Sequence, residues 1–393
     1  MTTVNCTEQG VKVSSFSTLS GVEEFFITGT APEGLSFRES LDELAASYRA
    51  VLLDNNLDGS TRQFVRLMLS DSANEQEGLL ESELFAMVRN GAVSMVEQSP
   101  LDGGSVGFLA YHIKSATGAF RQEGCVDPGG FRNRSIRTKG GAYSLLWSTG
   151  FTGNAALNSE AQTRQIFSSL ASSLATHTMT IRNNTVRTWI YVRDIDNHYA
   201  GMVKARREYF ETIGLTSKTR YIASTGIEGK NADSRSLVYA DALSIGGLRE
   251  EQMVRMEALR NLSSTIAYGV TFERGMRVRF GDRSHLYLSG TASIDKTGAT
   301  LYPRDVRKQT ERTFDNIEAL LEPQGATMEN IQYLTLYLRN PKQYPFIQDI
   351  LAERLPETTP VMAVQAPVCR PGWLFEVDGL GIIPDKTAFP PFA

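Results

Sequence analysis

The 393-residue chain carries 40 Lys and Arg against 44 Asp and Glu, a formal net charge of −4 with neither sign gathered in a tail. This argues against a nucleic-acid binder that works by neutralising phosphates. At roughly 150 residues per domain the length predicts two or three domains, with a core large enough to need no disulfide or metal staple, and 41% hydrophobic with 21% charged residues excludes long disorder as the main state. No apolar run approaches the ~18 residues of a membrane span. The start, MTTVNCTEQGVKVSS, lacks the basic and apolar regions of a secretory signal, so a cytoplasmic location is expected. Cys6, Cys125 and Cys369 are odd in number and far apart, which fits free thiols. No histidine stands at metal-ligand spacing from a cysteine or another histidine, so no zinc site is expected.

Along the chain one order of signals occurs three times. Each copy opens on a β-rich run ending in a small-residue turn, EEFFITGT, YSLLWSTG and SHLYLSGT, whose glycines Gly29, Gly150 and Gly290 lie about a third of the chain apart. A segment with helical apolar spacing follows: FRESLDELAASYRAVLLD, SEAQTRQIFSSLASSLAT and DVRKQTERTFDNIEALLE. In the third, Val306, Thr310, Phe314, Ile317 and Leu321 recur every three or four residues, as one buried helix face requires. Next come β-branched and aromatic strands, RQFVRLMLSDSA, VRTWIYVRDIDN and IQYLTLYLRNPKQ, then a second helix, EGLLESELFAMV, GMVKARREYFETI and PFIQDILAERL, then an extended closing segment. The reading is an α+β unit of hairpin, helix, strand, helix and closing strands, with helices on one face of a sheet. Linkers are expected at residues 127–141 and 246–270, and the copies at residues 1–126, 127–265 and 266–393.

With its [I/L]SGT-type first turn, this unit resembles the Rid/YjgF superfamily fold, a chorismate-mutase-like α+β fold. That family characteristically forms homotrimers with active sites in clefts between subunits. Three tandem copies therefore imply a pseudo-trimer within a monomer, with the principal cleft lined by the third copy and the first copy degenerate. The last third is more specific. LSGTASI (288–294), DVRKQTERTFDNIEALL (305–321), LYLRNPKQYP (336–345) and VCRPGWLFEVDG (368–379), with the upstream YGVTFERG (268–275) and RTWIYVRDI (187–195), look like the chorismatase branch of the superfamily. The resemblance implies an enzyme, lyase or hydrolase, that releases pyruvate from chorismate or a related enolpyruvyl compound without metal or organic cofactor. Its partner is a small-molecule carboxylate substrate; no nucleic acid or membrane is expected. Where that branch carries a Gly-His pair after its SGTASI segment, this chain reads Ile294-Asp295-Lys296-Thr297-Gly298.

Cleaving an enolpyruvyl ether needs a proton delivered to a vinyl carbon, which a buried, neutral carboxylic acid can supply. Glu376, among apolar neighbours in WLFEVDGL, is the candidate general acid; read from the strand alone, a carboxylate paired with an arginine fits as well. If Pro371-Gly372 form a two-residue turn, Cys369 opposes Leu374 and shares a face with Glu376, although a lone cysteine is also an ordinary small core residue. The resemblance implies that this thiol marks the hydroxybenzoate-forming type, in which it takes part in the rearrangement, so Cys369 is a second catalytic candidate that assists Glu376. Binding carboxylates favours arginine, and Arg274 and Arg339 are the candidates. Tyr268 and Tyr337 can supply a hydroxyl and a ring wall or simply pack, and Thr291 and Ser293 can bind hydroxyls or satisfy turn backbone.

The alternative Rid reaction, hydrolysis of an enamine or imine, depends on an arginine in the closing segment. Alignment puts Val93 and Val361 there in copies one and three, and Arg220 or Ile222 in copy two. A non-catalytic metabolite-binding protein is the third reading. STGIEGK (224–230) lacks the spacing of a phosphate loop and is expected to be a turn.

Overall fold

A computed structural model describes residues 2–6 (backbone), 10–116, 118, 120–123, 133–262 and 270–392. Tyr268 and Cys125 lie outside the described residues, as does the side chain of Cys6. Three six-stranded sheets repeat one topology. In spatial order the first is Thr2–Cys6, Val11–Ser17, Val22–Thr30, Val106–Ser115, Arg62–Leu69 and Ala92–Glu97. The second is Arg121–Glu123, Arg134–Gly140, Tyr143–Thr152, Val238–Gly246, Thr185–Val192 and Ala223–Glu228. The third is Met253–Arg255, Gly275–Arg279, Arg283–Ala292, Phe375–Pro384, Ile331–Leu338 and Val361–Gln365. Only the last pair in each is parallel, because a helical crossover returns the chain to the same edge of the sheet.

The long helices start where the sequence offers a cap: Phe37–Asp54 at Ser36 with a reciprocal Glu39, Ser159–Ala175 at Asn158, and Val306–Leu321 at Asp305. The crossover helices are Ile195–Thr212 in the second unit and Gln348–Arg354 in the third. In the first unit the crossover breaks into Ser72–Glu81 and Glu83–Val88, where Ser82 caps the second piece. Two features depart from the sequence reading. Each hairpin carries a further outer strand too short for periodicity to show. The ASTGIE stretch read as a turn is an edge strand, its register against Thr185–Val192 running from Arg187 opposite Ala223 to Val192 opposite Glu228. Among the described residues no helix is long and apolar enough to cross a membrane.

Strand alternation divides the cores. In the first sheet Phe25, Ile27, Val65 and Leu67 face the helix residues Leu41, Leu44, Tyr48 and Val51. Their neighbours Phe26, Phe64, Met68 and Tyr111 face the other way and join Trp147, Trp189, Tyr191, Tyr287 and Tyr333 of the other two sheets in one continuous core. Phe64 stacks on Trp147 at 4.3 Å and Phe26 on Tyr111 at 4.7 Å.

Into this aromatic centre each unit sends one arginine that is at most 1% exposed, and each meets a carboxylate of the next unit. Arg66 of the first pairs with Asp241 of the second at 3.3 Å, Arg187 of the second with Asp378 of the third at 2.9 Å, and Arg283 of the third with Glu24 of the first at 2.7 Å. Arg66 and Arg187 also lie over Trp189, at 4.6 and 4.5 Å. A fully buried ion pair adds little net stability over an apolar pair, but a mismatched one is costly. The cycle therefore favours one arrangement of three similar units over the others. Between units the backbone adds bridges, Glu97 to Lys230, Pro100 to Val364, and Ile227 to Val368.

Candidate active site

A cavity of about 270 Å³ opens between the second and third units. The third unit contributes Arg274, Gly290, Ala292, Cys369, Arg370, Trp373 and Glu376, and the second contributes Tyr199, Arg206, Ser224 and Gly226. Val270, Thr271 and Phe272, with Val203 and Arg207 of the second unit and Ile294 of the third, complete the wall.

Glu376 reaches it because the strand Phe375–Pro384 alternates. Phe375 turns toward Phe314 of the helix layer, ring centres 6.1 Å apart, while Glu376 and Asp378 share the opposite face. Glu376 is 3% exposed and makes no hydrogen bond among the described residues. Burial, reinforced by the charge of Asp378 and opposed by Arg187 and Arg274, pushes its carboxyl up to about 8. Its neighbour Asp378 is engaged away from the cavity, with Arg187, Thr225 and Tyr337 all donating to its Oδ2, at 2.9, 2.6 and 3.0 Å.

Opposite Glu376 the strand Arg283–Ala292 slips register between Leu288 and Thr291, leaving Gly290 in a bulge. A Cβ at Gly290 would stand 2.2 Å from Glu376 Oε1. Gly290→Ala should therefore displace the carboxyl and lower turnover on the order of 10²-fold while thermal unfolding stays near that of the parent; unchanged turnover would show that Glu376 works from another position.

The turn at Pro371-Gly372 forms, with Trp373 N donating to Arg370 O at 2.9 Å, and it is braced by Trp373 Nε1 to Thr300 (2.8 Å) and Arg370 Nη1 to the Gly298 carbonyl (3.1 Å). Cys369 does not ladder with Leu374, because its strand neighbour Val368 bridges to Ile227 of the second unit. The thiol nevertheless lies on the wall shared with Glu376. Its enclosure, with the Glu376 charge, pushes it up to about 12, against a hydrogen bond from Tyr199. It is a thiol, not a thiolate, at neutral pH.

The structure thus brings together Glu376, Cys369 and Arg274 and leaves the other candidates elsewhere. Arg339 forks onto Asp196 at 2.9 and 3.0 Å and onto the Val368 carbonyl, tying the start of the Ile195–Thr212 helix to the segment that carries Cys369. Tyr337 stands behind Glu376, on Asp378. The hydroxyls of Thr291 and Ser293 go to backbone carbonyls, those of Ser289 and Leu301, so both serve turn backbone. Parallel register puts Val93, Ser224 and Val361 at equivalent positions. The second-copy slot is therefore Ser224 rather than Arg220 or Ile222, and Arg220 lines a different cavity.

Arg206 was missed. It is buried, donating from Nε to Thr271 at 3.0 Å and from Nη1 to Ser224 at 3.5 Å. Nothing near it in sequence marks it, because its helix belongs to the unit before the one that carries the acid. Among the described residues no group of three His, Cys, Asp or Glu side chains is close enough to hold a metal ion.

The equivalent clefts lack the acid. Strand register matches Glu376 with Tyr239 and Gly107. The cleft with Tyr239, about 200 Å³, is lined by Val93, Met95 and Thr152. Beside Gly107 the space is taken by Met362, whose Cε would lie 3.0 Å from an added Cβ.

Residues 277–383 match the family model described as endoribonuclease L-PSP. Among solved structures, a chorismatase determined at 1.08 Å resolution superposes with a TM-score of 0.65 at 16% identity, covering 93% of this chain and 100% of its own. A Rid-family protein of unknown function from Yersinia pestis matches at 25% identity over 33% of this chain and 99% of its own, TM-score 0.29. An L-PSP-type protein from Entamoeba histolytica matches at 18% identity over 33% and 99%, TM-score 0.29. The chain as a whole has a chorismatase-like fold, and its last third is similar to the endoribonuclease L-PSP family.

Proposed function

We propose that this chain is a chorismatase-like enzyme that releases pyruvate from chorismate or a related enolpyruvyl compound and gives a hydroxybenzoate-type product. The observation that carries the reading is Glu376, a buried carboxyl that stays protonated at neutral pH and faces a cavity walled by Arg206 and Arg274. Arg207 and Arg370 line the same wall, and guanidinium groups at several points of it suit a substrate with two carboxylates.

In this reading Glu376 gives its proton to the terminal carbon of the enol ether, leaving an oxocarbenium ion. Water adds at the adjacent carbon, the one that bears the ether oxygen, its proton returning to the Glu376 carboxylate, and the hemiketal collapses to pyruvate and a ring alcohol that keeps the ether oxygen. Loss of one water from the resulting cyclohexadiene diol yields the hydroxybenzoate, so the water consumed is returned. Cys369 lies beside the ring as a neutral S–H. The closed cycle of interunit pairs supports a pseudo-trimer within a monomer of 43.4 kDa.

Incubation with chorismate, with pyruvate coupled to lactate dehydrogenase and the ring product identified by chromatography, tests this. Pyruvate and a hydroxybenzoate are expected. Because the acid acts protonated, kcat/KM should fall as pH rises through about 8. No pyruvate at any pH from 5 to 8 (a range of roughly three units around the carboxyl's usual and raised values) would overturn the proposal.

A further inference from the structure

We propose that a second cavity, at the base of the second unit, binds a small monocarboxylate through Arg220. It measures about 290 Å³ and shares no lining residue with the Glu376 cavity. Arg220 is 7% exposed. Its guanidinium donates to two neutral acceptors, the carbonyls of Tyr221 (3.3 Å) and Arg182, and among the described residues no carboxylate lies within 4.0 Å of it.

A buried guanidinium keeps its charge and is best compensated by an anion. The buried arginines of the aromatic centre show the usual solution, each with a carboxylate within 3.3 Å. Of the two carboxylates that act on Arg220, Glu250 lines the cavity beyond ion-pair distance, and Glu273 is already engaged, accepting from Tyr221 N at 2.6 Å and meeting Arg255 at 3.5 Å. Burial, with Arg182 and Arg255 nearby, pulls Arg220 down to about 10, only partly offset by Glu250 and Glu273.

The walls define the ligand class. Leu215, Leu248 and Met253 offer an apolar lining for a short hydrocarbon or ring, and a planar carboxylate matches an open guanidinium edge. Glu250 offsets the charge of Arg182, which lines the same cavity, so about one positive charge is left for the ligand and a monocarboxylate suits it better than a doubly charged phosphate.

Calorimetric titration of the full chain with benzoate, at neutral pH and low ionic strength, tests the assignment. In an Arg206→Leu background, which weakens carboxylate binding in the Glu376 cavity, benzoate binding should persist. Adding Arg220→Leu should weaken it about 10- to 100-fold, the loss of a charged hydrogen-bonded contact. Because Arg220 also braces two carbonyls, Leu248→Trp provides a second variant that fills the cavity and leaves those bonds intact; it too should abolish the binding. Benzoate binding unaffected by both changes, or absent from the Arg206→Leu protein, overturns the site. Inorganic phosphate binding where benzoate does not overturns the ligand class. None of these outcomes depends on turnover, so the site stands or falls separately from the pyruvate-releasing reading.

Discussion

Glu376→Gln is expected to abolish pyruvate release, lowering kcat by at least about 10³-fold, while leaving the fold intact and making it more resistant to denaturant above neutral pH. The amide keeps the shape and removes the carboxylic proton that Glu376 can deliver near pH 7. The stability effect has a definite sign. The folded-state value of Glu376, about 8, lies above its ordinary 4.5, so its neutral form suits the fold at pH values below about 4.5. That advantage is lost as pH rises through about 8, where the buried carboxylate must ionise. The parent should lose stability relative to the glutamine variant across this window, on the order of 4 kcal/mol in total. Urea midpoints of the two proteins at pH 5, 7 and 9, spanning roughly the titration window, read it directly. Undiminished turnover sinks the catalytic role, and a midpoint difference that does not change with pH sinks the protonated carboxyl.

The second large effect concerns the pair behind the acid. Asp378→Asn leaves Arg187 buried without its counter-charge and should cost about 3–5 kcal/mol. It also removes the negative charge that holds Glu376 protonated, so the alkaline limb of the pH–rate profile should move down. Arg187→Met should destabilise by a similar amount yet move the limb up, because the carboxylate of Asp378 then acts on Glu376 unopposed. The other titratable groups of the Glu376 cavity, namely Arg206, Arg207, Arg274, Arg370, Cys369 and Tyr199, are unchanged in both variants. Opposite shifts from two equally destabilised proteins distinguish tuning of the acid from general damage. Shifts in the same direction exclude the electrostatic account.

Periodicity made the helices and central strands legible because it reports one-sided burial. Val306, Phe314 and Ile317 pack inward as their spacing requires, and the three aromatic strands lie inside their sheets, each one place from the parallel edge. Glu376 stood out as an acid among apolar neighbours, and the Pro371-Gly372 turn was readable from its residue types. The failures share a cause. Arg339, Thr291 and Ser293 sit in motifs beside the cleft, but their donors are consumed by a carboxylate or by backbone carbonyls. Residue type gives a group's capacity for bonds, not which partner fills it.

The amino-acid sequence by itself determined the repeated unit, its caps and its alternating strands, and it marked one acid and one thiol on a common wall, because these follow from contacts between near neighbours along the chain. Only the tertiary structure decided that Arg206 and Ser224 complete that wall from another unit, that Met362 fills a sister cleft, and that Arg220 faces a cavity of its own. Those outcomes depend on how one unit's surface meets another's, and the distances that settle them join residues far apart in the chain.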